Sequence, residues 1–458
     1  MDHRIARAAV LGLLRRLRAG RIEVVEAGRR RGFGPPGADL AAAVRIRDQA
    51  AWAAPLRGSL GLGEAYGDRL WETDDLVALM RIGARALRPQ GGLRGHASRA
   101  RGWLHRLRRF VPENTRAGAR AHIAAHYDLG NALFAAFLDP RMVYSCAYFP
   151  HPGADLETAQ LAKLDRICRR LRLGPDDHLL EIGTGWGGLA IHAAAEYGCR
   201  VTTTTISREQ QALARQRVAE AGLEGRVEVL LEDYRDLRGR FDKLVSVEMI
   251  EAVGWQYFGE FFRRCSDLLA PDGLMLLQAI TIDDRLYESE KGARSFANTH
   301  IFPGGCLPSS ALIARCIAGE TDMRPIWAQD MTAHYPLTLA AWRQRFLAAW
   351  EGLAARGYDE RFKRLWVFYL SSSEAGFRER RLGDLQLLYA KPEWRGDELA
   401  GEVERSRGAG RVERLVALDR LAGRHRLDAD AAALERLDDR GIRDEAALGA
   451  ATEDEVLG

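Results

Sequence analysis

The segment Gly183-Thr184-Gly185-Trp186-Gly187-Gly188 lies between a short apolar run, His178–Ile182, and an apolar helical stretch, Leu189–Tyr197. Strand, glycine loop and helix in that order make a seat for a nucleotide-like ligand. Glycine lets the backbone turn sharply and approach a ligand without Cβ clashes, and the free N–H groups at the helix start point towards it. Alone, such a loop is a weak signal, shared with NAD enzymes and ordinary turns. Here the glycines are spaced GxGxG, and Gly188 completes GxGxxG as well. Where a dinucleotide enzyme sets an acid for its ribose, near the end of the second strand, stand Thr205, Ser207 and Gln210. The pattern favours S-adenosylmethionine over NAD.

The elements that must position this loop are legible on both sides of it. Val201–Ser207 reads as a strand and Arg208–Ala221 as a helix, with further strands at Val227–Leu231, Leu244–Val247 and Leu274–Ala279. Such alternation implies an α/β fold, a mostly parallel, doubly wound sheet covered by helices. Residues 1–93 read as a small α+β domain, with a strand at Gly20–Glu26 and a glycine-loosened turn entering a helix at Leu60–Tyr66. The catalytic domain is expected over 121–392. From 393 to 458 a polar Ala-, Arg-, Asp-, Glu- and Leu-rich tail reads as helical.

Between the two domains, Arg94, Arg99, Arg101, Arg106, Arg108, Arg109, Arg116 and Arg120 face one acid, Glu113, and interleave with Trp103, Leu104, Leu107 and Phe110. The first turns of the chain repeat the pattern, with Arg4, Arg7, Arg15, Arg16 and Arg18 around Ile5, Leu11, Leu14 and Leu17. Basic amphipathic helices can lie on anionic membranes, each cation adding about 1 kcal/mol. Solvated linker and capping helices fit the same residues. No nucleic-acid recognition motif accompanies the arginines.

The 458 residues carry a net charge of only +4, with 47% hydrophobic and 28% charged side chains. No apolar run approaches the ~20 residues a spanning helix needs, and the start lacks a secretory signal's apolar centre. The six cysteines are scattered, which fits neither a zinc site nor a disulfide framework. A cytoplasmic protein, peripherally associated with the membrane and holding no metal, is expected.

Several ordered blocks resemble the cyclopropane-fatty-acyl-phospholipid synthase family, which includes the mycolic acid cyclopropane synthases. They are residues 126–131, 139–149, 181–188, 205–211, 233–236, 246–254 and 301–309, with a looser match at 58–66. The resemblance implies a seven-stranded S-adenosylmethionine methyltransferase domain. Tyr144 and Ser145 would close over the methionine part of the cofactor. Gly183, Thr184 and Gly185 would form the loop beside it, Thr205 and Gln210 would contact the ribose, and Asp233 and Tyr234 would hold adenine. In such enzymes an alkene attacks the sulfonium methyl and a bound bicarbonate removes a proton, so that a cyclopropane closes on the acyl chain. Cys146, Glu251 and Tyr335 match residues that hold the bicarbonate, and Ile280 matches a backbone contact. The resemblance also implies a phospholipid surface with unsaturated acyl chains as partner, a homodimer, and a reductase partner where a methylene product is finished by reduction.

The chain departs from that pattern. Gln278 replaces the family histidine, and an amide cannot carry a proton. Ala252 stands where many members have histidine, and Ser371-Ser372-Ser373-Glu374 where many carry cysteine. The Glu-Met-Ile-Glu-Ala and Leu-Gln-Ala-Ile-Thr versions resemble a subgroup that includes enzymes making methyl- or methylene-branched chains. Cys146 alone would read as a packed core cysteine, but its matched segment makes it a site residue. Glu248 is expected to be structural. Two other functions fit parts of the sequence: a methyltransferase for a small polar acceptor, and a non-catalytic lipid-binding protein on the same scaffold.

Overall fold

A computed structural model describes residues 2–86 and 130–396. The arginine-rich segment 94–120, residues 126–129 of the first matched block and the tail beyond 396 lie outside the described residues.

The N-terminal region runs α1 (His3–Leu14), β1 (Arg21–Glu26), β2 (Arg29–Phe33), β3 (Ala41–Ile46), α2 (Gly58–Gly67), β4 (Trp71–Thr73) and α3 (Leu76–Ala86). Its four-stranded sheet has the order β2-β1-β3-β4. Ala27 and Gly28 both adopt positive φ, the two-residue turn that suits the twist of the β1–β2 hairpin. Of the apolar residues in the first turns, Leu11 and Leu17 pack in the core with Ile22, Val24, Trp52 and Ile82, as a capping helix would. Ile5 and Leu13 stay exposed at 62% and 59%. The 60–66 segment is not a turn entering a helix; helix α2 already spans it. The reason is packing. A Cβ on Gly63 would come within 2.2 Å of the Phe296 ring and one on Gly67 within 2.7 Å of Leu365, so the glycines bring the helix backbone against its neighbours.

The larger region continues α4 (Asn131–Phe137), α5 (Leu156–Arg170), β5 (His178–Ile182), α6 (Gly188–Tyr197), β6 (Arg200–Thr205), α7 (Arg208–Glu220), β7 (Val227–Leu231) and β8 (Phe241–Val247). Then come α8 (Phe258–Leu268), β9 (Leu269–Ile282), α9 (Asp284–Glu290), α10 (Ser310–Glu320), β10 (Arg324–Asp330), α11 (Tyr335–Ala348), α12 (Trp350–Ala355), α13 (Glu360–Arg378) and β11 (Leu382–Ala390). The seven-stranded sheet has the order β10-β11-β9-β8-β5-β6-β7. Strands β5 to β9 are mutually parallel, and β11 is antiparallel to both its neighbours. Alternate residues of β5 enter different cores: Leu179 packs with Ile167, Leu189 and Val218, and Leu180 with Phe261, Met275 and Ile317. Burial on both faces explains why these strands read as continuous apolar runs.

Strand β6 ends at Thr205, short of the expected Ser207, because the Ser207 hydroxyl caps α7 by accepting from the Gln210 N–H at 3.2 Å. Strand order reverses between β5 and β8, the switch point where α/β sheets leave a crevice at their carboxyl ends. Over it lies an aromatic core built from α4, α11 and α13. Helix α2 joins that core, and Arg81 and Arg85 of α3 each donate to Glu379 at 2.8 Å.

Candidate active site

The glycine loop leaves β5 with Gly183 and Gly185 in left-handed conformations, and Gly187, also left-handed, caps α6. A Cβ on Gly185 would meet nothing within 4 Å, so this backbone faces open space. A Cβ on Gly183 would touch Met249 at 3.1 Å, which brings the β8 loop alongside. Thr184 is held from behind: the Thr203 hydroxyl lies 2.7 Å from its Oγ1 and 2.7 Å from Glu181 Oε2. Arg217 donates to the carbonyls of Trp186, at 2.8 Å, and Arg141, at 3.0 Å, tying the loop to the 140–146 segment. That segment carries Tyr144 and Ser145.

At the end of β6 the Thr205 hydroxyl donates to Gln210 Oε1 at 2.7 Å. At the end of β7, Asp233 is buried, with both carboxylate oxygens engaged by the Arg235 guanidinium at 2.8 and 2.7 Å. The Tyr234 ring packs edge-on against Phe261. All the residues that the resemblance assigns to the cofactor therefore border the carboxyl ends of β5, β6 and β7 or the adjoining 144–145 segment. The open glycine face and the start of α6 fit an adenosyl ligand.

The second group converges on one carboxylate. Glu248 Oε1 accepts from the Cys146 backbone N–H at 2.8 Å and from Gln278 Nε2 at 2.9 Å. Its Oε2 accepts from the Tyr335 hydroxyl. The same Gln278 amide nitrogen lies 3.0 Å from Asp384 Oδ2 and 3.3 Å from the Cys146 carbonyl, while Gln386 Nε2 donates to Gln278 Oε1 at 3.0 Å. Glu251 Oε1 accepts from the Ile280 N–H at 2.5 Å, and its Oε2 has no partner among the described residues. Cys146, Glu251, Gln278, Ile280 and Tyr335 are thus brought together as expected. Glu248, expected to be structural, stands at their centre. Lys163, buried under the cluster, donates to Ser145 Oγ at 2.5 Å.

Glu248 also has φ +48°, a left-handed conformation for a residue with a Cβ. That conformation costs roughly 1–2 kcal/mol, and glycine would adopt it freely. Glu248 and Glu251 are surrounded by protein yet only half-buried, as are Tyr144, Gly183, Gly185, Met249 and Ile280.

Burial dominates the electrostatics. It pushes Glu251 up to about 8, with the Glu248 charge adding to the rise. It pushes Asp384 well above the carboxylate range, helped by Glu248 and Glu251. Burial also raises Glu248, but the Tyr335 hydroxyl, the Lys163 charge and the Cys146 and Gln278 donors all oppose it. Three donors aimed at a carboxylate favour its ionised form. Hydrogen bonding therefore favours the ionised form of Glu248 more than that of Glu251 or Asp384, which burial and the neighbouring carboxylates raise. Burial raises the Cys146 thiol well above its ordinary value, so the sulfur is no nucleophile. It lowers Lys163.

An aromatic wall completes the site. Tyr144 meets Trp342 at 5.1 Å, Phe134 at 5.3 Å and Phe302 at 6.3 Å between centroids, and its hydroxyl lies 3.0 Å from that of Tyr369. Tyr335 stacks on Phe377 at 4.2 Å.

A seven-stranded sheet with this glycine loop at its switch point defines the class, an S-adenosylmethionine-dependent methyltransferase. A family model described as mycolic acid cyclopropane synthetase matches residues 114–387. The chain is 42% identical over 332 residues to the tuberculostearic acid methyltransferase of Mycobacterium tuberculosis, covering 70% of this chain and 76% of that protein. It is 40% identical over 336 residues to the cyclopropane-fatty-acyl-phospholipid synthase of Escherichia coli, covering 73% and 84%. The crystal structure of the mycolic acid cyclopropane synthase CmaA1 complexed with SAH and CTAB matches with a TM-score of 0.56 at 32% identity, covering 59% of this chain and 98% of that one. The chain belongs to the mycolic acid cyclopropane synthetase family.

Proposed function

We propose that the chain transfers the methyl carbon of S-adenosylmethionine to the cis double bond of an unsaturated fatty-acyl chain in a membrane phospholipid, leaving a cyclopropane. The observation that carries this reading is the juxtaposition of three features. An open glycine loop, a buried carboxylate cluster and an aromatic wall meet at one end of the sheet. A small polar acceptor would need no such wall. An apolar chain passing a developing carbocation does, because aromatic faces attract a desolvated cation by about 2 kcal/mol or more. The names of the two relatives support an acyl acceptor.

S-adenosylmethionine supplies an electrophilic methyl carbon. The residues around it bind and orient. Gly183, Thr184 and Gly185 let the backbone pass close to the ligand, and Tyr144 and Ser145 close over its methionine end. Gln210, fixed by Thr205, meets the ribose, while Asp233 and Tyr234 border the adenine. Once the acyl double bond has taken the methyl carbon, Tyr144, Phe302, Trp342 and Tyr369 stabilise the positive charge left on the chain. A proton must then leave. The donors at the positions that the resemblance assigns to a bound bicarbonate, from Cys146, Tyr335, Ile280 and the Gln278 that replaces histidine, are all bonded to Glu248 or Glu251. They do not fit that anion, and no step is routed through it.

A second reading, a methylene- or methyl-branched product, is favoured by Gln278 and Glu248 and by the likeness to a tuberculostearic acid methyltransferase. Among the described residues no helix is long and apolar enough to cross a membrane. The exposed Ile5 and Leu13 beside Arg4, Arg15 and Arg16 support peripheral contact with an anionic surface.

The test is release of S-adenosylhomocysteine in the presence of anionic phospholipid vesicles. Turnover is expected with cis-unsaturated vesicles and not with saturated ones of the same headgroup. Equal turnover on both would contradict an alkene acceptor.

A further inference from the structure

We propose that the base in this enzyme is the Glu248 carboxylate, a side chain of the protein itself standing where a bound anion would otherwise be needed. This rests on the acyl-methylation reading and deepens it.

Three independent observations converge. The Cys146 N–H, the Gln278 amide and the Tyr335 hydroxyl all point at the two Glu248 oxygens, the environment a small bound anion would have. Glu248 is only half-buried, and the next residue, Met249, lies 3.1 Å from where a Cβ on Gly183 of the glycine loop would stand. Its backbone holds a left-handed conformation that glycine would adopt without strain, as strained residues at functional sites do. Gln278 fits the same account. An amide donates to a neighbouring carboxylate without competing for the proton, which a histidine would do.

Glu251 is the rival. Its oxygen is fixed by a single backbone donor at Ile280, and burial, with the nearby Glu248 charge, pushes it up to about 8. Burial and the Glu248 and Glu251 charges raise Asp384 as well. Neither gathers the three donors that favour the ionised form of Glu248, and the Lys163 charge favours that form too.

The step balances. The π pair of the acyl double bond forms the new bond to the methyl carbon as the carbon–sulfur pair leaves on sulfur. Glu248 takes a proton from the transferred carbon, and the freed carbon–hydrogen pair closes the third side of the ring. A sulfonium and a carboxylate become a neutral thioether and a neutral acid. No further reactant is required.

The test compares the full-length wild type with E248Q, E248G and E251Q in carbon dioxide-free buffer, with and without added bicarbonate or formate. Acyl product and S-adenosylmethionine binding are both measured. The wild-type rate should not respond to bicarbonate. E248Q should lose ~10²–10⁴-fold in turnover while its cofactor Kd stays within a few-fold. E248G relieves the backbone and frees the donors, so added bicarbonate or formate should restore part of its rate saturably, with no such rescue of E251Q. A wild type that slows when carbon dioxide is removed and recovers with bicarbonate would overturn the proposal, as would an E248Q of full activity. A wild type that binds the cofactor but alters no acyl chain in any buffer would overturn the function itself.

Discussion

Replacing Tyr335 with Phe removes one hydroxyl and little else. The ring stacks on Phe377 at 4.2 Å and meets Trp342 edge-on, and both contacts survive the change. What is lost is the hydrogen bond to Glu248 Oε2. A hydrogen bond to a charged acceptor contributes about 1.5–3 kcal/mol, and each pH unit corresponds to about 1.4 kcal/mol. The donor favours the ionised form of Glu248, so its loss raises that carboxyl. The acid limb of the pH–rate profile should therefore move up by roughly 1–2 pH units. Above the limb the variant carboxylate is the more basic, and turnover should recover. The assay is acyl-chain conversion at saturating S-adenosylmethionine across the pH range, with thermal unfolding measured alongside. A uniform loss at every pH, with the limb unmoved, would refute the idea that Tyr335 acts through Glu248.

Two further perturbations probe the cofactor loop and the buried carboxyls. Gly185→Ala places a methyl in the open space above the loop at φ +51°. It should weaken S-adenosylmethionine binding at least ~10-fold, about 1.4 kcal/mol, while strain of about 1 kcal/mol lowers Tm by only about 2–4 °C; calorimetric titration and unfolding check both. Glu181 is raised by burial from 4.5 to about 8. Its neutral form therefore stabilises the fold fully below 4.5, and that contribution is lost as pH rises towards about 8, at up to about 1.4 kcal/mol per pH unit. Glu181→Gln should flatten this decline in Tm against pH, and a profile as steep as the wild type's would contradict the assignment.

Much of this was legible in the residues. The alternation of strands and helices after residue 178, and the ordered motif blocks, were enough to anticipate the parallel sheet and the gathering of Cys146, Glu251, Gln278, Ile280 and Tyr335. Glu248 was not legible as a site residue, because nothing local distinguishes it from a solvated acid at a strand end. Its role depends on a left-handed turn and on donors from three distant segments. Asp384 and Gln386 were missed because β11 pairs antiparallel with β9, setting Gln386 opposite Gln278 and Asp384 opposite Ile280. Their signal was present, as two polar residues at alternate positions in the otherwise apolar Leu382–Ala390 run share one face of a buried strand. The glycines of α2 suggested a turn because close packing against Phe296 and Leu365 leaves no local trace.

The most direct measurement of the central claim uses S-adenosylmethionine with a fully deuterated methyl group. Wild-type protein and vesicles of cis-unsaturated phospholipid are incubated with it, and the released acyl chains are analysed by mass spectrometry. Methyl transfer to the double bond followed by proton loss from the transferred carbon predicts chains that gain one carbon carrying two deuterium atoms. Unchanged chains with the cofactor bound, or an intact trideuteromethyl group on a polar acceptor, would contradict it.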